Sequence, residues 1–300
     1  MKHFIITVDT EGDNLWSWHE GMSIYTDNTL YLHRFQELCN KYGFKPVYLS
    51  NYEMLMDDRY VTMVKEWADK GLCEVGLHLH AWNTPPLSEL KGRYNGNPYL
   101  IEYPEEVMEA KFSFLYNLFE EKMGFAPKSH RAGRWAMNKY YFDILKEFNI
   151  DVDCSYTPCV NWSPQKGRVH GGSDYSACKP SAFLENGVLE VPMSIIKCKH
   201  ALSGSVKHRL RTLIKGDTIW LRPAISGIKE MKHLVDNLER KVDFLDFMIH
   251  SSELMPGGSP YFKDEKEIEI MYAKIESIFA YVHEKGYQGY TLAEYYNSHK

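Results

Sequence analysis

Four short segments carry residue types able to do hydrolytic chemistry. Thr7-Val8-Asp9-Thr10-Glu11 offers two carboxylates two positions apart, and Gly76-Leu77-His78-Leu79-His80 offers two imidazoles at the same spacing. His130-Arg131-Ala132-Gly133-Arg134-Trp135 brings two guanidinium groups and an indole, and Met248-Ile249-His250 brings a further imidazole. Imidazole nitrogen and carboxylate oxygen are the donors that zinc and similar borderline cations take, and a catalytic site keeps a position open for water. His78 and His80 with one acid of the first segment would make a His₂-carboxylate set, both rings converging on one ion where the chain turns at a strand end. The second acid could then accept a proton from water. Plainer readings stand beside these: one histidine packed and the other exposed, or Thr-Glu-Gly-Asp as an ordinary acidic turn. A guanidinium beside Asp9 would hold it ionised, and either Arg131 or Arg134 could supply it. Imidazole suits proton transfer near neutral pH, so His250 could protonate a leaving amine.

These segments gain weight from the elements that must hold them. Short apolar runs alternate with amphipathic stretches of a dozen residues or more, which implies parallel strands joined by crossover helices. Phe4 to Val8, Lys45 to Leu49 and Cys73 to Leu77 read as the first three strands. Later strands are expected near 128–130, 151–154, 188–192, 217–221, 245–249 and 287–290. Helices are expected near 28–42, 57–70, 138–148, 205–214, 227–240 and 264–284. The clearest helix is Pro104 to Met123: proline suits the first turn, Glu105 and Glu106 suit the positive end of the dipole, and apolar residues recur at helical spacing. In parallel α/β barrels the functional residues gather at the C-terminal strand ends, and all four segments lie there. Arg222, after the run Thr218 to Leu221, occupies a similar place and could reach an anionic group on a substrate. Leu15-Trp16-Ser17-Trp18-His19 could supply sugar-stacking surface or pack on the barrel rim.

Composition narrows the field. The chain has 300 residues, 44% hydrophobic and 14% aromatic, enough for a full core with aromatic side chains to spare. A formal charge of −5 and the absence of a basic stripe argue against a nucleic-acid partner; the nearest candidate, Lys207-His208-Arg209-Leu210-Arg211, reads as the exposed face of a short helix. No apolar run approaches the roughly 18 residues that span a bilayer, and the run Phe4 to Val8, five residues long before Asp9, is too short for a signal segment. The six cysteines form no CxxC pair, so a reduced, cytoplasmic protein is expected. No repeat or linker divides residues 1–300, which read as one domain. Residues 155–187, rich in Ser, Pro, Gly and Lys, read as a long irregular insertion over one end of the barrel.

In this order, the four segments resemble the motifs of the polysaccharide deacetylase superfamily, the NodB-homology or carbohydrate esterase family 4 proteins, over roughly residues 3–255. Thr7-Val8-Asp9-Thr10-Glu11-Gly12 is similar to the family's T-F-D-D-G, Glu74-Val75-Gly76-Leu77-His78 to its second motif, Arg131 through Trp135 to R-x-x-x-[WY], and Met248-Ile249-His250 to L-x-H. The second motif departs, with Trp82 four residues after His78 and the second histidine at His80; this looks like the form carried by relatives in capsule and lipopolysaccharide biosynthesis. The fourth motif, D-x-x-D-W, is not cleanly present, and Asp151 and Asp153 are the nearest acids for orienting His250. The resemblance implies a single distorted (β/α)-barrel of about seven parallel strands. It implies Asp9 as base, tethered by Arg131, and His250 as acid. It also implies a divalent metal, zinc with cobalt or nickel as alternates, on Glu11, His78 and His80. Trp135 becomes a groove wall, and Trp82 and Arg222 join it as candidate substrate contacts. The activity implied is hydrolytic deacetylation of an N-acetylated sugar, free or linked to a nucleotide or lipid carrier. Another metal-dependent C–N or glycosidic hydrolase, or a non-catalytic sugar-binding protein of the same fold, are the alternatives.

Overall fold

The computed structural model describes residues 1–13, 15–199 and 216–300. The helix expected at 205–214 and the basic run 207–211 lie outside the described residues. Strands β1 (His3–Thr10), β2 (Pro46–Ser50), β3 (Glu74–Leu79), β4 (Ser129–Ala132) and β5 (Val152–Asp153) form the first part of a curled sheet. They are followed by β6 (Phe183–Glu185), β7 (Val188–Glu190), β8 (Ile195–Cys198), β9 (Asp217–Trp220), β10 (Phe244–His250) and β11 (Gln288–Gly289). The main sheet runs β10-β1-β2-β3-β4-β5-β7-β6, with β11 beside β1. All its pairings are parallel except the hairpin of β6 and β7. This is a distorted, mostly parallel (β/α)-barrel.

The run at 217–221 departs from the expected pattern. β9 pairs antiparallel with β8 in a separate two-stranded ribbon instead of joining the parallel sheet. The ribbon is tied to β10 by single bonds: Met248 N–H donates to Leu221 O (3.1 Å) and Asp246 N–H to Ser194 Oγ (2.9 Å). A four-residue strand has the same composition in either setting, so alternation could not tell one from the other.

β1 and β10 are buried along their whole lengths, as strands covered on both faces must be. Helices Leu32–Lys41, Asp58–Asp69, Glu105–Met123, Lys139–Glu147, Ile228–Leu238 and Glu265–Glu284 supply the outer layer. Their ends follow local chemistry. Asp57, Asn138 and Asp264 accept backbone N–H groups as N-caps, and Gly124 closes the helix Glu105–Met123 in the left-handed conformation (φ 79°). The core packs Phe4, Ile6 and Val8 of β1 against Phe247, Ile275 and Phe279. On the other side of the sheet a smaller cluster gathers Ile5, Val47, Leu49 and Leu292. The result fixes the register Asp9↔His250, and His78↔Arg131 on the neighbouring pair of strands.

Candidate metal and hydrolytic site

Residues two apart on a strand share a face, so Thr7, Asp9 and Glu11 point together, as do His78 and His80. No turn is needed to bring the two histidines round; β3 ends at Leu79 and His80 continues the same parity. One donor atom from each of Glu11, His78 and His80 lies within 4.8 Å of the others, and all three side chains are buried. Glu11 Oε2 stands 3.5 Å from His78 Nε2 and 3.3 Å from His80 Nε2.

This group could hold a metal ion, and its surroundings fit one. His78 Nδ1 donates to Arg131 O at 2.9 Å, which leaves the Nε2 lone pair facing Glu11. Burial drives His80 well below the usual histidine range, leaving the neutral ring that a ligand must be. His80 stacks on Trp82 (4.3 Å, 23°), and its other nitrogen is buried without a partner. Gly133 makes room for it: a Cβ there would stand 2.4 Å from His80 Cδ2.

Asp9 sits beside this group. Its Oδ1 accepts from Arg131 Nη1 at 2.6 Å, while Oδ2 lies 4.0 Å from His78 Nε2 and 3.7 Å from His250 Nε2. Burial would raise its pKa, but Arg131, with His78 and His250, holds the carboxyl well below the usual range. Arg131 is wholly buried. It also donates to Thr7 Oγ1 (2.9 Å), Asp246 Oδ2 (3.1 Å) and, through Nε, Cys154 O (2.9 Å). Asp246, on the middle of β10, is pushed up to about 7 by burial, opposed by the Arg131 charge.

Arg134 is elsewhere. It donates to Asn97 O and packs 3.9 Å over the Tyr99 ring, so the choice between the two arginines falls to Arg131. Arg134 and Trp135 are both in left-handed backbone (φ 56° and 55°), a conformation costing a non-glycine residue about 1–2 kcal/mol. It brings the Trp135 ring to the site's edge, stacked on Trp162 at 4.9 Å.

His250 closes the constellation at the end of β10, with Nε2 3.8 Å from Glu11 Oε1. Neither Asp151 nor Asp153 orients it. Asp153 is bonded to His130 Nδ1 (2.7 Å) and Ser155, and Asp151 faces Lys128 (3.7 Å). The acid beside His250 is Glu253, 3.7 Å from Nδ1, with Arg222 between them: Arg222 Nη2 is 2.9 Å from Nδ1 and also donates to Glu253. Arg222 therefore has protein partners where the sequence suggested a substrate anion. Glu253 went unnoticed because it lies in an irregular turn just past the strand, where no period marks it. Glu53 was missed as well. It bonds Asn51 (2.6 Å) and Asn83 (2.7 Å), and burial, with the Glu11 charge adding, pushes it up to about 7.

Asp9, Glu11, His78, His80, Trp82, Trp135, Arg222 and His250 all line one cavity of about 530 Å³, and Arg131 lies beneath it. Trp16, Trp162 and Trp220 complete an aromatic wall. An adjoining hollow of about 910 Å³ shares Trp82 and Asn97 and is lined further by Trp18, Tyr94 and Tyr103. The rim is held by two loops fastened together. Glu102 accepts backbone N–H groups from Tyr99, Arg168, Val169 and His170, and Gly92 and Gly96 lie against the backbone of residues 166–168. Residues 166–170 are thus built onto the segment that follows Trp82. Among the described residues no helix is long and apolar enough to cross a membrane.

No family model matches the chain, and no curated protein matches it. Among solved structures it is similar to a GH57-type branching enzyme from the hyperthermophilic archaeon Pyrococcus horikoshii, at 10% identity and TM-score 0.52, over 100% of this chain and 70% of that one. It is similar to a 4-alpha-glucanotransferase from Thermococcus litoralis at 13% identity and TM-score 0.51, over 100% of this chain and 38% of that one. It is also similar to a family 4 carbohydrate esterase from Streptomyces lividans in complex with acetate, at 11% identity and TM-score 0.44, over 96% and 91%. At these identities the likeness is one of fold alone.

Proposed function

We propose that the protein removes the acetyl group from an N-acetylated sugar, as a hydrolase using one divalent ion held by Glu11, His78 and His80. The carrying observation is the buried meeting, at the ends of four parallel strands, of that donor set with an arginine-tethered carboxylate and a further imidazole. The motif resemblance supports the same reading. One carboxylate and two imidazoles suit zinc, with cobalt or nickel as substitutes. When bound, the ion supplies Lewis-acid activation of water and of the amide carbonyl.

The chain's own groups divide the proton work. Arg131 occupies Asp9 Oδ1 and fixes the carboxylate, so Oδ2 is the oxygen left to take the proton of the attacking water. His250, flanking Asp9 on the neighbouring strand, turns Nε2 toward the reacting amide, and the proton that Asp9 takes from the water passes to the departing amine as the C–N bond breaks. Trp82 and Trp135 offer flat apolar faces at the cavity edge for a sugar ring. The adjoining hollow leaves room for a further ring or a carrier group. Residues 1–300 act as one barrel domain in this reading, with the insertion as part of the substrate rim.

Plasma mass spectrometry of the parent and of His80→Ala, alongside acetate release from a panel of N-acetylated sugars, tests this. About one ion per chain, lost in the variant together with acetate release, is expected. No ion after reconstitution, or release of reducing ends without acetate, overturns it.

A further inference from the structure

His250 differs from an imidazole backed by a carboxylate alone. Its Nδ1 is 2.9 Å from Arg222 Nη2, and a guanidinium has only donors to offer. Nδ1 must therefore accept, and the neutral ring then carries its proton on Nε2. That nitrogen faces two acceptors, Asp9 Oδ2 at 3.7 Å and Glu11 Oε1 at 3.8 Å.

Glu253 makes the arrangement decisive. Its Oε1 lies 3.7 Å from the same Nδ1, and a carboxylate alone would draw the proton to Nδ1 and leave Nε2 bare. Arg222 stands between them and reverses that preference. The guanidinium cannot swing away easily: it is 3% exposed, bonded to Glu253, and has the Trp16 and Tyr261 rings 5.8 and 5.9 Å from its carbon. Trp16 in turn packs on the His250 ring (4.9 Å) and donates from Nε1 to Ser252 Oγ (3.0 Å). Glu253 Oε2 accepts from the His250 backbone N–H at 3.3 Å, so the acid braces both the arginine and the strand end.

We infer that Arg222, held by Glu253, is a positioning residue that fixes His250 as its neutral Nε2–H tautomer and so aims a hydrogen-bond donor into the cavity. The catalytic consequence rests on the proposed deacetylation, in which this N–H would hydrogen-bond charge developing on the reacting amide; the tautomer itself does not. The test is ¹⁵N NMR of histidine-labelled, metal-free protein at constant pH, with the His250 signals identified by their loss in His250→Asn. The parent is expected to show a protonated Nε2 and a bare Nδ1. Arg222→Met is expected to move the proton to Nδ1, and Glu253→Gln, which keeps an oxygen for Arg222, to leave it on Nε2. A parent signal with the proton on Nδ1, or an unchanged tautomer in a folded Arg222→Met, overturns the inference. Should Arg222→Met fail to fold, the parent spectrum and Glu253→Gln still decide. In kinetics, Arg222→Met is expected to lower kcat about 10²-fold with KM little changed, as for loss of one positioned hydrogen-bond donor. A raised KM with unchanged kcat would instead mark a substrate contact and overturn the positioning role. Failure to release acetate from any sugar, with the parent tautomer as expected, would refute the deacetylase reading and leave the tautomer assignment standing.

Discussion

Asp9 shows how a single oxygen can be reserved for chemistry. With Oδ1 committed to Arg131, Asp9→Asn would keep much of the shape but lose the acceptor, and acetate release is expected to fall by about 10²–10⁴. Unchanged thermal unfolding would separate this loss from misfolding; a variant retaining most of its turnover would remove Asp9 from the reaction. Six of the residues that meet in the cavity or beneath it were readable in advance, because each lies at or next to the C-terminal end of an expected strand, where the loops of such a barrel gather. Two kinds of group were not. Asp246 sits in mid-strand, where it reads as part of a buried run, and its partner Arg131 comes from a strand 115 residues away in sequence. Arg222 was visible but not its role, since nothing local to it announces Glu253.

At the level of elements, the backing of the site depends on close approaches that tolerate little added bulk. Gly133→Ala would press a methyl group on His80, and overpacking of this kind costs about 1–3 kcal/mol. The expected result is weaker metal binding, measured by competition with a chelator, with far-UV circular dichroism unchanged. Lys111, on the helix Glu105–Met123, reaches under the turn after β3 and donates to Thr84 O (2.7 Å) and Pro86 O (2.8 Å). Burial lowers its amine to about 8, so the unfolded chain binds the extra proton between about pH 8 and its ordinary value. Stability is therefore expected to rise as pH climbs through that window, by about 3 kcal/mol at most, and Lys111→Met should abolish the rise. Urea titrations at several pH values would show it; parallel curves for parent and variant would count against it. Most of the element pattern was legible from hydrophobic periodicity; β6, β8, the antiparallel pairing of β9 and the short helices Tyr52–Leu55 and Leu292–Asn297 were not, being segments of three to six residues in which little period can show.

For the molecule as a whole, the barrel and its rim are expected to differ in stability. The rim loops are joined through the Glu102 carboxylate, with Tyr94 N–H to Arg168 O and Gly96 N–H to Gly167 O beside it. Burial would raise its pKa, but the N–H groups of His170, Arg168, Val169 and Tyr99 lower it. A depressed carboxylate contributes stability above its unfolded pKa and loses it as pH falls through the folded one. Glu102→Ala is expected to open residues 157–175 to limited proteolysis at neutral pH while the barrel still unfolds cooperatively; equal protection of parent and variant would refute that. The same fastening bears on how such a protein could be re-purposed. Because Gly92 and Gly96 press on the backbone of residues 166–168, and four amides converge on one carboxylate, the two loops form a matched cassette. Grafting either loop alone from another barrel would leave a charge buried without donors or donors without a charge. A transplant of new specificity onto this scaffold would have to exchange both together.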